Sequence, residues 1–583
     1  MKGGGDIGMG FQTNRTTIYI AAAVILIAII AAALYIATRQ APETVETETE
    51  TAAETTPATK TEAQMVELKP LTGNVREDIV NIARYLSANG VTEAKYRVHG
   101  SGDPNSIMRV YGIVEAAARL NKILEEEGVN FKIVIEDIKF SANADEPAKV
   151  FQQSFPLKQE ADIIAVSYRW ISTFAKEGYL LDITDYANAY MGSELEDYYD
   201  SLWSSVTYKG RIYALPQDTE ARPLYILKPV MECLGYDAWD IAAKIDSGEY
   251  TWKDVMRIAK EAVDKGCSEW GVIHRKGSAH PDLVQFYYAF GGEFTGSDPD
   301  KLYLNLEALY KWLAVEYALA RNGLTPENML EWDWAKQIHP TIVSAKTAFD
   351  IGGTWYWTEW QTKKYYTDPQ TGEQRGLTPE EVKERFAYSL FPAGEPGKSP
   401  VTLSQPFVWM ISANAGKLNP KYDDLKEAYH RIAFLLILKA NDPDLVAIHS
   451  IVSAHIPIRE KAALLMDDQE FVGKLAQGNL DMFVSDEARE AFVEIAKKTA
   501  HPINIEFLKN VTYMLEYTHI PPLHPSYQPL AEFFKDAVDF VLKGQMTPEE
   551  ATNYVVQKIR ADPELAETIE IVGSIPSGWQ ISP

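Results

Sequence analysis

Twenty consecutive residues without a charge, Ile18 to Ala37 (IYIAAAVILIAIIAAALYIA), constrain this chain more than any other stretch. A run of that length, coiled as a helix, spans the ~30 Å hydrocarbon core of a bilayer. It reads as one N-terminal transmembrane helix. A cleaved secretory signal would share its charged start and apolar core, although the run is long for a signal core. Lys2 and Arg15 precede it, while Arg39 and then an acidic stretch follow it. The positive-inside bias therefore favours a short cytoplasmic start over 1–17 and an exported body. No cysteine lies beside the run to accept a lipid, so an attached body is anchored by the helix itself.

Residues 38–67 form a linker. Ala41 to Val66 holds eight Thr, six Glu and two Pro with no aromatic residue, a composition that cannot bury enough apolar surface to fold. The Thr density permits O-glycosylation of an exported chain, and Asn510-Val511-Thr512 is an N-glycosylation sequon.

The remaining sequence is long enough for two or more cores, since single cores stop growing near ~250 to 300 residues. A net charge of -26 argues against a nucleic-acid partner, which needs a clustered basic surface. Two cysteines, Cys233 and Cys267, supply no disulfide framework; one bridge outside the cytosol and two free thiols are both compatible with them.

Beyond Lys69, strand-like and helix-like segments alternate, the pattern of an α/β protein with a mainly parallel sheet. Tyr96 to Val98 reads as a strand, Asn105 to Glu127 as an amphipathic helix, Phe131 to Ile138 (FKIVIEDI) as the next strand and Asp162 to Val166 as another. A helix is predicted after Thr251, capped by that residue, with an apolar stripe of Val255, Ile258, Ala259, Ala262 and Val263 and a stop at Gly266. In open α/β sheets ligands gather outside the carboxyl ends of strands. The loop HGSGDPNS, His99 to Ser106, sits at such an end. Its glycine spacing matches neither phosphate motif, so Asp103 is expected to cap the helix and to be offered to ligand hydroxyls.

Several stretches, in order, carry a resemblance: ADIIAVSYRWISTFAKEGYLLDIT (161–184), YKGRIYALPQDTEARPLYILKPVMECLG (208–235), YAFGG (288–292), KTAFDIGGTWYW (346–357), FPAGEPGKSPVTLSQPFVWMIS (391–412) and HIPIREKA (455–462). Together they resemble the extracellular solute-binding proteins of ABC sugar importers, the maltose-binding type, over roughly residues 90 to 545. The resemblance implies a two-lobed periplasmic-binding-protein-like fold (type II) with the ligand cleft between the lobes. It places crossings near Gln217 to Leu224, Pro392 to Gln405 and Pro457 to Lys461. Lobe one then takes 68–218 and 404–458, and lobe two takes 219–403 and 459–583. It further implies a carbohydrate ligand, a sugar or an oligosaccharide, and as partners a membrane permease and ATPase subunits, with no cofactor and no metal.

By the same resemblance, Trp355 matches a tryptophan that stacks on a sugar ring, and Glu220 matches a carboxylate that accepts hydrogen bonds from sugar hydroxyls. On a helix starting near Thr354, Trp357 and Trp360 share one face and are assigned to core or lobe surface. Asp218, Glu220 and Arg222 alternate, so in an extended segment they share a face. Arg169 and Trp170 follow a strand at the same crevice, where the maltose-binding pattern has an acid and a base; this departure speaks against maltose itself. His280-Pro281-Asp282 and Ser526-Tyr527 match two further cleft regions more loosely.

Two other readings stay open. A binding protein for a peptide or a sugar phosphate has the same architecture, and Arg169, Arg222 and Arg275 suit an acidic ligand. A tethered glycosidase needs two carboxylates ~5 to 9 Å apart, and Glu220 with Glu359 or Asp103 could serve. There is no Gly-x-Ser-x-Gly elbow, and neither His449 with His455 nor His519 with His524 has the HExxH spacing of a zinc site.

Overall fold

Ile163–Ser167 is apolar almost without a break and buried at every residue, as a strand covered on both faces must be. Such strands organise the computed structural model, which describes residues 66–275 and 281–583. The apolar run 18–37, nearly all of the linker and His280 lie outside the described residues. Among the described residues no helix is long and apolar enough to cross a membrane.

The strands that matter are β1 (Glu93–Ser101), β2 (Lys132–Ser141), β3 (Ile163–Ser167), β4 (Ala214–Asp218), β5 (Leu224–Leu227), β6 (Trp270–His274), β7 (Thr347–Ile351), β8 (Phe386–Ser389) and β9 (Phe407–Ile411). They form a five-stranded sheet in the order β2-β1-β3-β9-β4 and a four-stranded sheet in the order β8-β5-β7-β6. In the first, β9 is antiparallel to both of its neighbours, while β1 is parallel to β2 and β3. In the second, β5 is antiparallel to β7 and β8, while β7 is parallel to β6. Each sheet thus has one strand running against the rest. That strand is the one the chain enters directly from the other sheet, so it must start at the edge where its neighbours end. The carboxyl ends of β1, β3 and β4 and those of β6, β7 and β8 consequently border the passages between the sheets.

The strands predicted in the first sheet are present, each a little longer or shifted. The helix expected from Asn105 begins later, at Met108, as α1 (Met108–Glu126). Asp103 does not cap it: its carboxylate closes a preceding turn, accepting from the Asn105 N–H at 2.9 Å and from the Ser106 hydroxyl. The helix after Thr251, α2 (Trp252–Asp264), has the expected cap, with the Asp254 carboxylate accepting from the Thr251 N–H at 3.1 Å. Its stripe is buried except at Val263, which is half-buried. Cys233 and Cys267, near the ends of two helices packed on the second sheet, are joined as a disulfide with Cα atoms 5.8 Å apart.

The aromatic run after β7 divides as the helical spacing predicts. In α3 (Tyr356–Thr362), Trp357 stacks on Phe507 at 4.1 Å and Trp360 on Phe386 at 4.1 Å, so both are core residues.

The passages between the sheets are laced together. The Thr219 N–H donates to the Ile456 carbonyl at 3.2 Å, and the Ile456 N–H donates back at 2.8 Å. The Arg222 N–H donates to Thr402 Oγ1 at 2.7 Å, and Ser404 Oγ donates to the Glu220 carbonyl at 2.6 Å. Pro457 to Lys461 is not itself a passage. Arg459 Nε donates to Asp197 at 3.0 Å and pairs in a β-bridge with Tyr198, which keeps this segment beside the first sheet. The chain reaches elements of the second sheet's side farther on, where Glu506 pairs with Lys383 at 2.8 Å.

Candidate functional site

A cavity of about 530 Å³ opens where the carboxyl ends of the two sheets meet. Its walls come from the loops that follow the strands: Gly102 to Pro104 after β1, Ala142 to Asp145 after β2, Glu220 and Arg222 after β4, Arg275 after β6 and Trp355 after β7. Arg109, Trp332, Trp334, Ala335, Ile338, Glu359, Tyr365, Gln405, Phe407 and His455 complete the lining.

Beneath the first sheet's wall lies a buried charge network centred on Arg109, in the first turn of α1. Its guanidinium donates to Asp218 Oδ2 from Nε at 3.0 Å and from Nη2 at 2.8 Å, and to the Ser101 carbonyl at 2.9 Å. It lies 3.5 Å above the Phe407 ring centroid. Gly102 makes this possible, because a Cβ there would fall 2.0 Å from Arg109 Nη1. His449 Nε2 donates to the same Asp218 oxygen at 2.8 Å. Burial pushes the Asp218 carboxyl up, but Arg109 and the two histidines outweigh it and hold the group well below the usual carboxylate range.

His455 is the link from this network to the cavity. Its Nε2 faces Arg109 Nη2 at 3.3 Å and its Nδ1 faces Ser453 Oγ at 2.8 Å. Because a guanidinium can only donate, Nε2 is the acceptor and the ring is neutral with its proton on Nδ1. Burial lowers its pKa well below the ordinary histidine value, which agrees with that assignment.

Asp218, His449 and His455 bring three ligand atoms within 4.8 Å of one another, a cluster that their separation in sequence conceals. Arg109 already contacts both Asp218 and His455 there. A cation would have to share the carboxylate with a guanidinium, so the donor set does not suit a metal.

The wall from the second sheet centres on Trp355. Its indole folds back over Gly353, where a Cβ would meet ring atom Cζ3 at 1.6 Å. Arg222 Cζ lies 4.6 Å and Arg275 Cζ 4.8 Å from the Trp355 ring, and the His455 ring lies parallel to it at 5.7 Å. Trp355 is only 5% exposed as a result. Glu220 pairs with Arg222. Burial raises the Glu220 carboxyl to about 7, against the opposing pull of Arg222 and Arg275.

Glu359, fully buried at the first turns of α3, accepts at one oxygen, Oε1, from Trp334 Nε1 at 2.9 Å and from the Tyr365 hydroxyl at 2.6 Å. Burial, with Asp103 adding to it, raises this carboxyl to about 7 as well.

Of the residues singled out from the sequence, Trp355, Glu220, Arg222 and Asp103 line the cavity. Asp218 stands behind the wall as the partner of Arg109. Arg169 and Trp170 are set back too: Arg169 pairs with Asp145, and Trp170 Nε1 lies 3.4 Å from the same carboxylate. Tyr527 is not in the lining; it is buried at the start of the helix Tyr527–Leu542, with its ring edge against Phe294 at 5.3 Å. Sequence reasoning did not single out Arg109, Trp334, Tyr365 or His455 as site residues. The glycine at 102 was the one available signal for Arg109, since it marks a close approach to the backbone.

Residues 110–490 match the family described as bacterial extracellular solute-binding protein. No curated protein matches the chain. Among solved structures, the chain is similar to an ABC transporter solute-binding protein from Thermotoga lettingae bound with α-D-tagatose (TM-score 0.53, 16% identity, 80% of this chain and 98% of that one). It is similar to maltose-bound MalE3 of T. maritima (TM-score 0.53, 16% identity, 80% and 99%). It is also similar to an ABC substrate-binding protein from Listeria monocytogenes in complex with cycloalternan (TM-score 0.54, 15% identity, 81% and 99%). At these identities the likeness establishes the two-lobed α/β fold.

Proposed function

The chain belongs to the bacterial extracellular solute-binding proteins, and from that premise we propose that it captures a carbohydrate in the cavity between its lobes and delivers it to an ABC importer. The observation that carries this reading is the composition of the cavity wall. Flat rings at Trp332, Trp334, Trp355 and Tyr365 alternate with Asp103, Asp145, Glu220, Arg222 and Arg275. A sugar ring has an apolar face of C–H groups and a rim of hydroxyls, and it needs both kinds of partner. The similar structures that were solved with tagatose, maltose and cycloalternan support the same class.

In this reading Glu220, Arg222 and Asp103 meet the ligand directly, Trp355 braces Arg222 and Arg275 beside it, and Arg169, Trp170 and Asp218 hold the loops behind them. A ligand touching both walls favours the closed arrangement of the lobes by its differential affinity, and the closed form docks on a permease served by separate ATPase subunits. The segment Ile18 to Ala37 anchors the chain in the cell membrane as a single pass, and the Thr/Glu-rich linker holds the binding body on the extracytoplasmic side, near the importer.

Glu220 and Glu359 line one cavity, as a glycosidase pair would, but both are engaged. Glu220 pairs with Arg222, and Glu359 accepts from two aromatic donors, which favours binding over hydrolysis.

A thermal-shift screen of residues 69–583 against neutral oligosaccharides, sugar acids, sugar phosphates and short peptides, with product analysis of each mixture, tests the reading. The expected result is stabilisation by an unaltered carbohydrate, lost in Trp355→Ala. Stabilisation by peptides alone sinks the sugar assignment, and cleaved products replace the importer reading with an enzyme.

A further inference from the structure

The residue that matches the family's stacking tryptophan, Trp355, is a poor platform in this chain. Two guanidinium groups and an imidazole ring lie within 6 Å of its centroid, and little of it reaches the cavity. The aromatic area that does face the cavity lies elsewhere. Trp334 and Tyr365 both line it, and both are only half-buried, although Arg275 Cζ lies 5.0 Å from the Trp334 ring as well.

These two rings come from separate segments and are fixed at one point. Trp334 opens a tight turn, Trp334–Ile338, whose start is capped by the Asp333 carboxylate accepting from the Ala335 and Lys336 N–H groups at 3.1 and 2.9 Å. Tyr365 follows α3. The indole N–H and the phenol O–H converge on Glu359 Oε1, so one buried oxygen sets the tilt of both rings. The Tyr365 ring is held from another side by parallel contact with His339 at 4.7 Å, and His339 Nδ1 accepts from Trp360 Nε1 at 2.8 Å. The support therefore runs from the core of the second lobe to the cavity wall. Both bonds end on a single oxygen, so any side chain that keeps an acceptor oxygen there can hold the two rings, and one without it cannot.

We propose that the Trp334–Tyr365 pair is the wall on which a sugar ring stacks in this cavity, and that Glu359 is the positioning residue that aligns both rings for it. The inference rests on the carbohydrate reading above and names the surface that reads the ligand's apolar face. Trp355 instead buttresses Arg222 and Arg275, which meet the hydroxyl rim.

The test uses the full chain with maltotriose, xylotriose and D-tagatose as calorimetric probes, and 5-fluorotryptophan labelling read by fluorine NMR. For any probe that binds, Trp334→Ala and Glu359→Ala are each expected to weaken affinity about tenfold, the scale of one lost aromatic contact. Glu359→Gln, whose amide oxygen accepts the same two bonds, recovers part of that loss. Without any sugar, the Trp334 resonance, assigned through Trp334→Phe, moves in Glu359→Ala and returns towards its original position in Glu359→Gln, while that of the exposed Trp239 stays in place. An unmoved Trp334 resonance in Glu359→Ala overturns the clamp. Affinity within about twofold of wild type in Trp334→Ala overturns the stacking role while leaving the importer reading intact. A chain that binds none of the three sugars overturns the carbohydrate reading and the stacking role with it.

Discussion

Arg109 and Asp218 form an ion pair at 2.8 Å with each side chain 1% exposed, joining the first turn of α1 to the end of β4 where the chain leaves for the second sheet. Removing one member of a buried pair leaves the other charge without compensation, at a cost of about 3 to 5 kcal/mol. Arg109→Met is therefore expected to lower unfolding stability by about that amount in a urea titration. A loss below about 1 kcal/mol would show that the pair is solvated in solution.

Stability should respond to pH through the raised carboxyls. Glu220 and Glu359 are both shifted from 4.5 to about 7, chiefly by burial, so the folded chain binds these protons more tightly than the unfolded chain. Their contribution is fully present below the unfolded value and is lost as pH rises through about 7. Melting curves across this window should show stability falling with pH, and Glu359→Gln should flatten part of the fall. Asp218 has the opposite sign: its folded pKa is depressed, so its contribution is lost only in acid, below the ordinary carboxylate range.

The Cys233–Cys267 bridge closes a sequence separation of 34 residues on the second lobe. In the chain-entropy account such a loop contributes about 3 to 4 kcal/mol. Reduction, or Cys233→Ser with Cys267→Ser, should lower the melting temperature without removing ligand binding, since neither residue lines the cavity. Mass spectrometry of the exported chain should find the two thiols oxidised, as expected outside the cytosol.

Much of the fold was legible because buried strands betray themselves locally. The run DIIAV and the segment FKIVIEDI mark β3 and β2 with no knowledge of their neighbours, and Thr251 announces a helix start. The direction of β5 and β9 was not legible, since it depends on where the chain returns from the other sheet. The site divides along the same line. Trp355 and Glu220 were legible through the family resemblance and Arg222 through its alternation with Glu220, and all three line the cavity. Arg109 looks like any helix arginine until folding sets it beside Asp218, 109 positions away. Trp334 and Tyr365 look like ordinary loop aromatics until Glu359 joins them. The expected helix cap at Asp103 failed because the carboxylate closes its own turn first, a local bond that competes with capping.

The lacing of the two passages, Arg222 to Thr402 and Ser404 to Glu220, has a mechanical consequence. Segments joined rung to rung cannot bend separately. A turn of one lobe against the other must twist both about a single axis, as two covers turn on one spine. Glu220 and Arg222 are part of that spine and also face the cavity. Whatever fills the cavity against them therefore bears on the axis itself, with no intervening lever.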